Sequence, residues 1–229
     1  FYLFAGRAIG TAAAQSQELK REVFLPTKEK GAIVVVASGF SGPDLYRGFS
    51  SKLAELGYYV VLIDGKGVPI HSTDTRGQDG ATYLRKVISE AQSAERAVSG
   101  KVALVGLSFG GGGMLLHGAS LTHQVSAVVA YYPMITHMGS DMKPLASKLL
   151  VPVLVLAGER DSFKNCCLAE SMLALAAAAK AGEFELVLYP EANHAFNLIG
   201  SRLYREQDAT NAWERAAAFL SRHHPPGGR

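Results

Sequence analysis

Three residues in one chain order could together break an acyl bond. Ser108 sits between glycines in Gly106-Leu107-Ser108-Phe109-Gly110, Asp161 ends Gly158-Glu159-Arg160-Asp161, and His194 ends Pro190-Glu191-Ala192-Asn193-His194. A serine hydroxyl attacks a carbonyl carbon when a base within hydrogen-bond reach takes its proton. The base in turn needs a carboxylate on its other ring nitrogen. For a serine on a strand-turn-helix, the expected order is serine, acid, histidine. The remaining histidines fit this order poorly: His71, His117, His123 and His137 precede Asp161, and His223 and His224 lie in the polar C-terminal stretch. Glu159 competes for the acid, but it stands closer to its strand, where a structural salt bridge is the simpler role. Asp161 is preferred.

These residues need elements to hold them. Val102-Ala103-Leu104-Val105 leads into the serine turn and Met114-Leu115-Leu116-His117 follows it, so a strand, a sharp turn and a helix are expected. Glycines on both sides relieve the crowding of such a turn, and the helix N-terminus favours negative charge near the hydroxyl. Further strands are read at Glu22–Leu25, Ala32–Ala37, Tyr58–Ile63, Val125–Tyr131, Pro152–Ala157 and Glu183–Tyr189. Between them fall helices: one capped by Asp44 with Leu45, Phe49, Leu53 and Leu56 at helical spacing, then Ala81–Ser99, about 166–181, and Gln207–Arg222. Residues 68–80 read as a loop. Strands alternating with helices imply an α/β fold, a mostly parallel central sheet with helices on both faces. Ligands then bind beyond the carboxyl ends of the strands, where Ser108, Asp161 and His194 share one rim.

An oxyanion needs two donors aimed at it. The backbone N–H of Phe109 is the first expected, and that of Phe40, in the loop Ser38-Gly39-Phe40-Ser41-Gly42-Pro43, the second. Gly39, Tyr132, Met134 and Phe196 are the expected pocket lining. No metal-binding spacing occurs, and Gly110–Gly113 lacks the Lys and Ser/Thr of a phosphate loop, so neither metal nor cofactor is expected. Cys166 and Cys167 are adjacent, a poor arrangement for a bridge, and are expected to be two semi-buried structural thiols without a catalytic role, with one exposed thiol as the alternative.

At 229 residues, 48% hydrophobic, 19% charged and +3 in formal charge, the chain suits one globular domain at 22–222, with no basic patch for nucleic acid. Residues 1–21 read as an N-terminal extension. Ala12-Ala13-Ala14 resembles the end of a signal peptide, although Arg7 interrupts the apolar stretch, which is too short for a membrane span. Export and a cytoplasmic location stand equal. Residues 223–229 are expected to be a flexible tail. The expected partner is a small-molecule ester, taken up by a monomer or a homodimer.

From about Gly31 to Leu220 the chain resembles the dienelactone hydrolase branch of the α/β-hydrolases. The resemblance is carried by Ser38-Gly39-Phe40, by GLSFGGG at 106–112, by Gly158-Glu159-Arg160-Asp161, and by Tyr189-Pro190 with Asn193-His194-Ala195-Phe196. It implies the α/β-hydrolase fold, a Ser108–His194–Asp161 triad, and an oxyanion hole at Phe40 and Phe109. Three departures stand out. The family's namesake enzymes have a cysteine in the place of Ser108, a glutamate in the place of Gly39, and a carboxylate-holding arginine where Leu198 stands. The expected activity is therefore a serine esterase for small neutral or aryl esters. Dienelactone-type lactone hydrolysis, peptidase or acyltransferase chemistry are the alternatives on the same residues, and a silent binding module is the non-enzymatic one.

Overall fold

The computed structural model describes residues 21–71, 79–180 and 183–228. Within them, seven strands form one sheet in the order β1-β3-β2-β4-β5-β6-β7. The strands are β1 Arg21–Phe24, β2 Gly31–Ala37, β3 Tyr59–Ile63, β4 Ala97–Leu107, β5 Val125–Tyr131, β6 Val153–Gly158 and β7 Phe184–Tyr189. β1 pairs antiparallel with β3, and the remaining neighbours are parallel.

Strand residues alternate between faces, and a parallel sheet must be covered on both. In β2, Ile33, Val35 and Ala37 enter one core with Leu84, Val87 and Ile88 of helix α2 (Gly80–Gln92) and Met172 and Leu175 of α5 (Ala169–Ala178). Ala32, Val34 and Val36 enter the other, with Leu53 of α1 (Arg47–Glu55) and Phe219 and Leu220 of α6 (Glu206–His223). Every residue of β2 is buried, which is why it reads as an unbroken apolar run. Short helices α3 (Phe109–Gly113) and α4 (Lys143–Ala146) complete the set, and α3 widens into a π-helix over Met114–Gly118 in which Ala119 N–H reaches Met114 O at 3.1 Å.

Several expected boundaries move. The helix expected from Ala81 to Ser99 ends at Gln92, because Ala97 and Val98 pair with Gly31 and Ala32 at the start of β4. Asp44 does not cap α1. Pro43–Tyr46 forms a 3-10 turn in which Asp44 pairs with Arg47 at 3.0 Å, Tyr46 is buried and Leu45 points outward. α5 starts at Ala169, not near 166.

The C-terminal tail is docked, contrary to expectation. Tyr58 O–H donates to the His224 carbonyl at 2.9 Å, and Ala32 N–H donates to the Pro226 carbonyl at 2.8 Å. His224 also stacks on Tyr58 and meets Ser126 Oγ at 3.0 Å. The tail thus satisfies the Ala32 backbone donor at the amino end of β2 and the side chains of Tyr58 and Ser126 beside it. Of the expected extension at 1–21, only Arg21 is described, as the first residue of β1; residues 1–20 and 72–78, the latter within the expected loop, lie outside the described residues. Among the described residues, no helix is long and apolar enough to cross a membrane.

Candidate active site

The loops after β6 and β7 are stitched together by their backbones. Glu159 N–H donates to Tyr189 O at 3.0 Å and Arg160 N–H to Ala192 O at 3.0 Å. Gly158 permits this approach, since a Cβ there would lie 2.5 Å from the carbonyl carbon of Ala192. The result places Asp161 beside His194. The carboxylate Oδ2 lies 2.7 Å from His194 Nδ1, and Oδ1 accepts the Phe163 N–H at 3.1 Å. Glu159 is exposed, so the competing acid does not face the histidine; neighbouring Arg160 pairs with Glu191 at 2.5 Å.

Ser108 occupies the end of β4 with φ 55 and ψ −116. A non-glycine residue pays for this backbone, at a cost of order 1–3 kcal/mol, and only an over-determined turn keeps it there. Its N–H donates to Tyr131 O at 3.0 Å, while its carbonyl accepts from Gly112 N–H at 3.1 Å and Met134 N–H at 2.9 Å. Gly110 passes under the β2 loop, where a Cβ would lie 2.5 Å from the carbonyl oxygens of Ala37 and Ser38. The Ser108 hydroxyl then lies 3.0 Å from His194 Nε2. An ionised carboxylate only accepts, so the proton sits on Nδ1 and leaves Nε2 to accept from the serine. All three residues are nearly enclosed, at 5%, 3% and 8% exposure for Ser108, Asp161 and His194.

The imidazole is held between two rings. Phe163 stacks on it at 4.6 Å and 13° from parallel, and Tyr132 lies at 4.7 Å on a tilted plane. Tyr132 has φ 35 and donates its O–H to Asn197 Oδ1 at 2.8 Å. Burial raises the Tyr132 phenol well above its ordinary range, which keeps it neutral beneath the histidine. Phe163 escaped the sequence reading. The one available sign was its place two residues after Asp161, where its N–H turns back onto the acid.

The β2 loop reaches the serine as expected. The Ser38 hydroxyl accepts Gly65 N–H at 3.0 Å and donates to Gly39 O at 3.1 Å, which ties the β2 and β3 loops together. A Cβ on Gly39 would lie 3.4 Å from Ser108 Cβ, and the Tyr46 phenol fills the space beside it. Phe40 is exposed; its ring meets that of Phe109 edge-on at 5.6 Å, with the Lys66 ammonium 5.4 Å from its centroid. A second ammonium, Lys164, lies 5.5 Å from the Phe163 centroid.

Two expected lining residues face the interior instead. Phe196 is fully buried, packed on Tyr132 and Tyr189 at 5.9 and 5.0 Å, and Tyr132 is fully buried below His194. Their strand-end and turn positions suggested the rim, but aromatic packing draws both under it. Met134 is half-buried and joins the core on the α2 face. Leu198 lines a cavity of about 390 Å³ with Phe49, Lys52, Asn197, Tyr204 and Trp213.

The cysteine expectation is overturned. Cys166 and Cys167 are joined in a disulfide between neighbours, and both are fully buried rather than semi-buried thiols. Folding also brings their sulfurs and a ring nitrogen of His194 within 4.8 Å of one another, a Cys/His grouping that no spacing in the sequence announces.

Comparison with known proteins agrees with this architecture. A protein of Yersinia pestis described as a candidate carboxymethylenebutenolidase is 31% identical over 128 residues, covering 54% of this chain and 47% of its own length. The chain thus spans about half the length of that relative. A candidate dienelactone hydrolase structure from Klebsiella pneumoniae superposes with TM-score 0.71 at 23% identity, over 90% of this chain and 94% of the other. A propionate-bound thermophilic esterase from Thermogutta terrifontis gives 0.67 at 17% identity, over 94% and 93%. Both share the α/β-hydrolase fold. The profile of the Dienelactone hydrolase family matches residues 19–224, nearly the whole described fold, and the chain belongs to that family.

Proposed function

We propose that this chain is a serine hydrolase that cleaves carboxylic esters through an acyl-enzyme on Ser108. The observation that carries the reading is the continuous hydrogen-bonded run from Ser108 Oγ through His194 to Asp161. His194 Nε2 takes the hydroxyl proton as Oγ attacks the ester carbonyl carbon. Asp161 holds the ring in the required tautomer and stabilises the imidazolium that forms. The tetrahedral oxyanion is met by the N–H groups of Phe109, at the start of α3, and Phe40. His194 then gives its proton to the departing alkoxide, and the acyl group remains on Ser108. Water, deprotonated by His194, reverses the sequence and releases the acid.

Small neutral or aryl esters are the proposed substrates, since the exposed large apolar side chains beside the triad are Phe40 and Phe163. Lactone hydrolysis is the second reading, favoured by the name of the Yersinia pestis relative; a lactone would open by the same two steps. The test is a fluorophosphonate label with peptide mapping, beside turnover of p-nitrophenyl esters of graded chain length. Labelling at Ser108, lost together with turnover in Ser108→Ala, is the expected result. An unlabelled, inactive wild-type chain leaves the silent binding module as the better account.

A further inference from the structure

We propose that Cys166, Cys167 and His194 form a redox-gated site for a thiophilic divalent cation, closed while the cysteines are bonded to each other and open once they are reduced. Among the described residues this is the one group of His, Cys and carboxylate side chains close enough to share an ion, with its three donor atoms within 4.8 Å of one another. Disulfide sulfurs are neutral and poor ligands. Two thiolates and an imidazole are a Cys₂His set, which suits zinc and leaves a fourth position open.

The placement is fixed from both sides. Thr136 N–H donates to Cys166 O at 3.1 Å, and Leu168 N–H donates to Thr136 Oγ1 at 3.1 Å, so the pair is pinned to the loop after β5. On its other side, Cys166 N–H reaches Phe163 O at 3.0 Å through Lys164 and Asn165, which both have positive φ. Tetrahedral zinc, with Zn–S near 2.3 Å and Zn–N near 2.0 Å, keeps sulfur and nitrogen ligands about 3.5 Å apart. The ring nitrogen and the sulfurs must therefore close by only about 1 Å from their outer limit of 4.8 Å, while the two sulfurs, bonded to each other in the oxidised form, part once reduced.

Charge favours a cation as well. Reduced thiolates here would be buried near the Asp161 carboxylate, which is itself 3% exposed. Buried like charges are costly unless compensated, and a divalent ion supplies the compensation. The chemistry balances: a phosphine and water reduce the disulfide to two thiols and leave a phosphine oxide, and Zn²⁺ then displaces two thiol protons. Both ring nitrogens of His194 are already engaged, by Ser108 and by Asp161. Coordination must take one of them, so the bound cation excludes the serine–histidine–acid chain. That inhibitory consequence rests on the proposed esterase reading; cation binding itself does not.

The test uses the full chain, purified in parallel with and without a phosphine reductant, the redox state read by intact mass. Zinc uptake is measured by competition with a chromogenic chelator, and p-nitrophenyl acetate turnover is followed at the same zinc concentrations. The reduced protein is expected to bind one zinc ion and to lose turnover in step, with recovery on adding EDTA. The oxidised protein, the Cys166→Ser/Cys167→Ser double variant and His194→Gln are expected to bind it at least about 100-fold more weakly. Zinc should leave the double variant's own rate unchanged. Equal zinc affinity in reduced wild type and either variant overturns the proposal. So does a pair that stays oxidised in the folded protein under reductant, for a site that never opens binds nothing. A chain without turnover in any form counts against the esterase reading alone, because zinc uptake still decides this one.

Discussion

Phe163 lies flat on His194, 4.6 Å between ring centroids and 13° from parallel. The same residue donates its N–H to Asp161 Oδ1. One turn therefore fixes both the carboxylate and the plane of the imidazole that the carboxylate orients. Such an aromatic pair is worth about 0.5–1.5 kcal/mol beyond the area it buries. Phe163→Ala is expected to lower kcat by about threefold to tenfold with little change in KM, and Phe163→Tyr to restore most of it. A wild-type kcat in Phe163→Ala would show that Tyr132 and Asp161 suffice to place the ring.

Ser108 trades stability for the placement of its hydroxyl against His194. Its φ of 55 and ψ of −116 suit glycine. Ser108→Gly should therefore be inactive yet more stable by about 1 kcal/mol, the strain relieved less the extra entropy of glycine in the unfolded chain. Urea unfolding compares the two, with Ser108→Ala as the inactive control that keeps the strain. A glycine variant no more stable than the alanine variant contradicts the strained-turn account.

The acid assignment has a sharp consequence. Asp161→Asn removes the acceptor that holds Nδ1–H, and in other triads that change costs about 10⁴-fold in turnover. Glu159→Gln, at an exposed position away from the ring, should cost less than about twofold. Steady-state rates of the two variants side by side would expose a wrong assignment if their order were reversed.

Much of this was legible because local rules and the global fold agree. Burial on both faces makes β2 an unbroken apolar run, and the serine–acid–histidine order follows from three rim turns of one parallel sheet. What escaped reading depends on contacts distant in sequence. The stack of Phe163 on His194 joins two loops, and the grouping of Cys166 and Cys167 with His194 appears only when β6 and β7 lie side by side. The docking of His224 and Pro226 on Tyr58 and Ala32 spans almost the whole chain. Phe196 was misread for a simpler reason: a turn after a strand suggests exposure, but ring packing on Tyr132 and Tyr189 outweighs position.

His117 supplies a pH dependence of stability. Burial pushes its imidazole below the ordinary 6.5, against the opposing pull of the Pro69 carbonyl at 2.7 Å and of Asp79. Lys148 lies on the same side and disfavours the charged form further. Below pH 6.5 the unfolded chain takes up this proton while the folded chain still resists it. The unfolded state then binds more protons, so stability falls as the pH drops from 6.5 through the lowered folded value. His117→Gln, which can still donate to Pro69 O, should flatten the slope of unfolding free energy against pH between about 7 and 5. An unchanged slope would place the acid sensitivity on other groups.

Substrate charge is the last point at which the geometry commits itself. The namesake enzymes this chain resembles hold a substrate carboxylate with an arginine and have a glutamate in the β2 loop. Here Leu198 faces the cavity beside Trp213, and Gly39 packs against Ser108 and the Tyr46 phenol. Two cations stand at this rim, Lys66 over Phe40 and Lys164 over Phe163. Both ammonium groups ride on exposed side chains, where water and salt screen them. A carboxylate pressed between Phe40 and Phe163 would lose hydration without a buried donor in return, a cost of several kcal/mol if fully buried. The expected result is a kcat/KM for neutral short-chain or aryl esters roughly tenfold or more above that for anionic esters and lactones of matched size. Both series should be measured at pH 7 to 8 and at low and high salt. An advantage for the anionic series that disappears in Lys66→Ala or Lys164→Ala, and fades with salt, would show that these lysines replace the missing arginine and would favour the lactone reading.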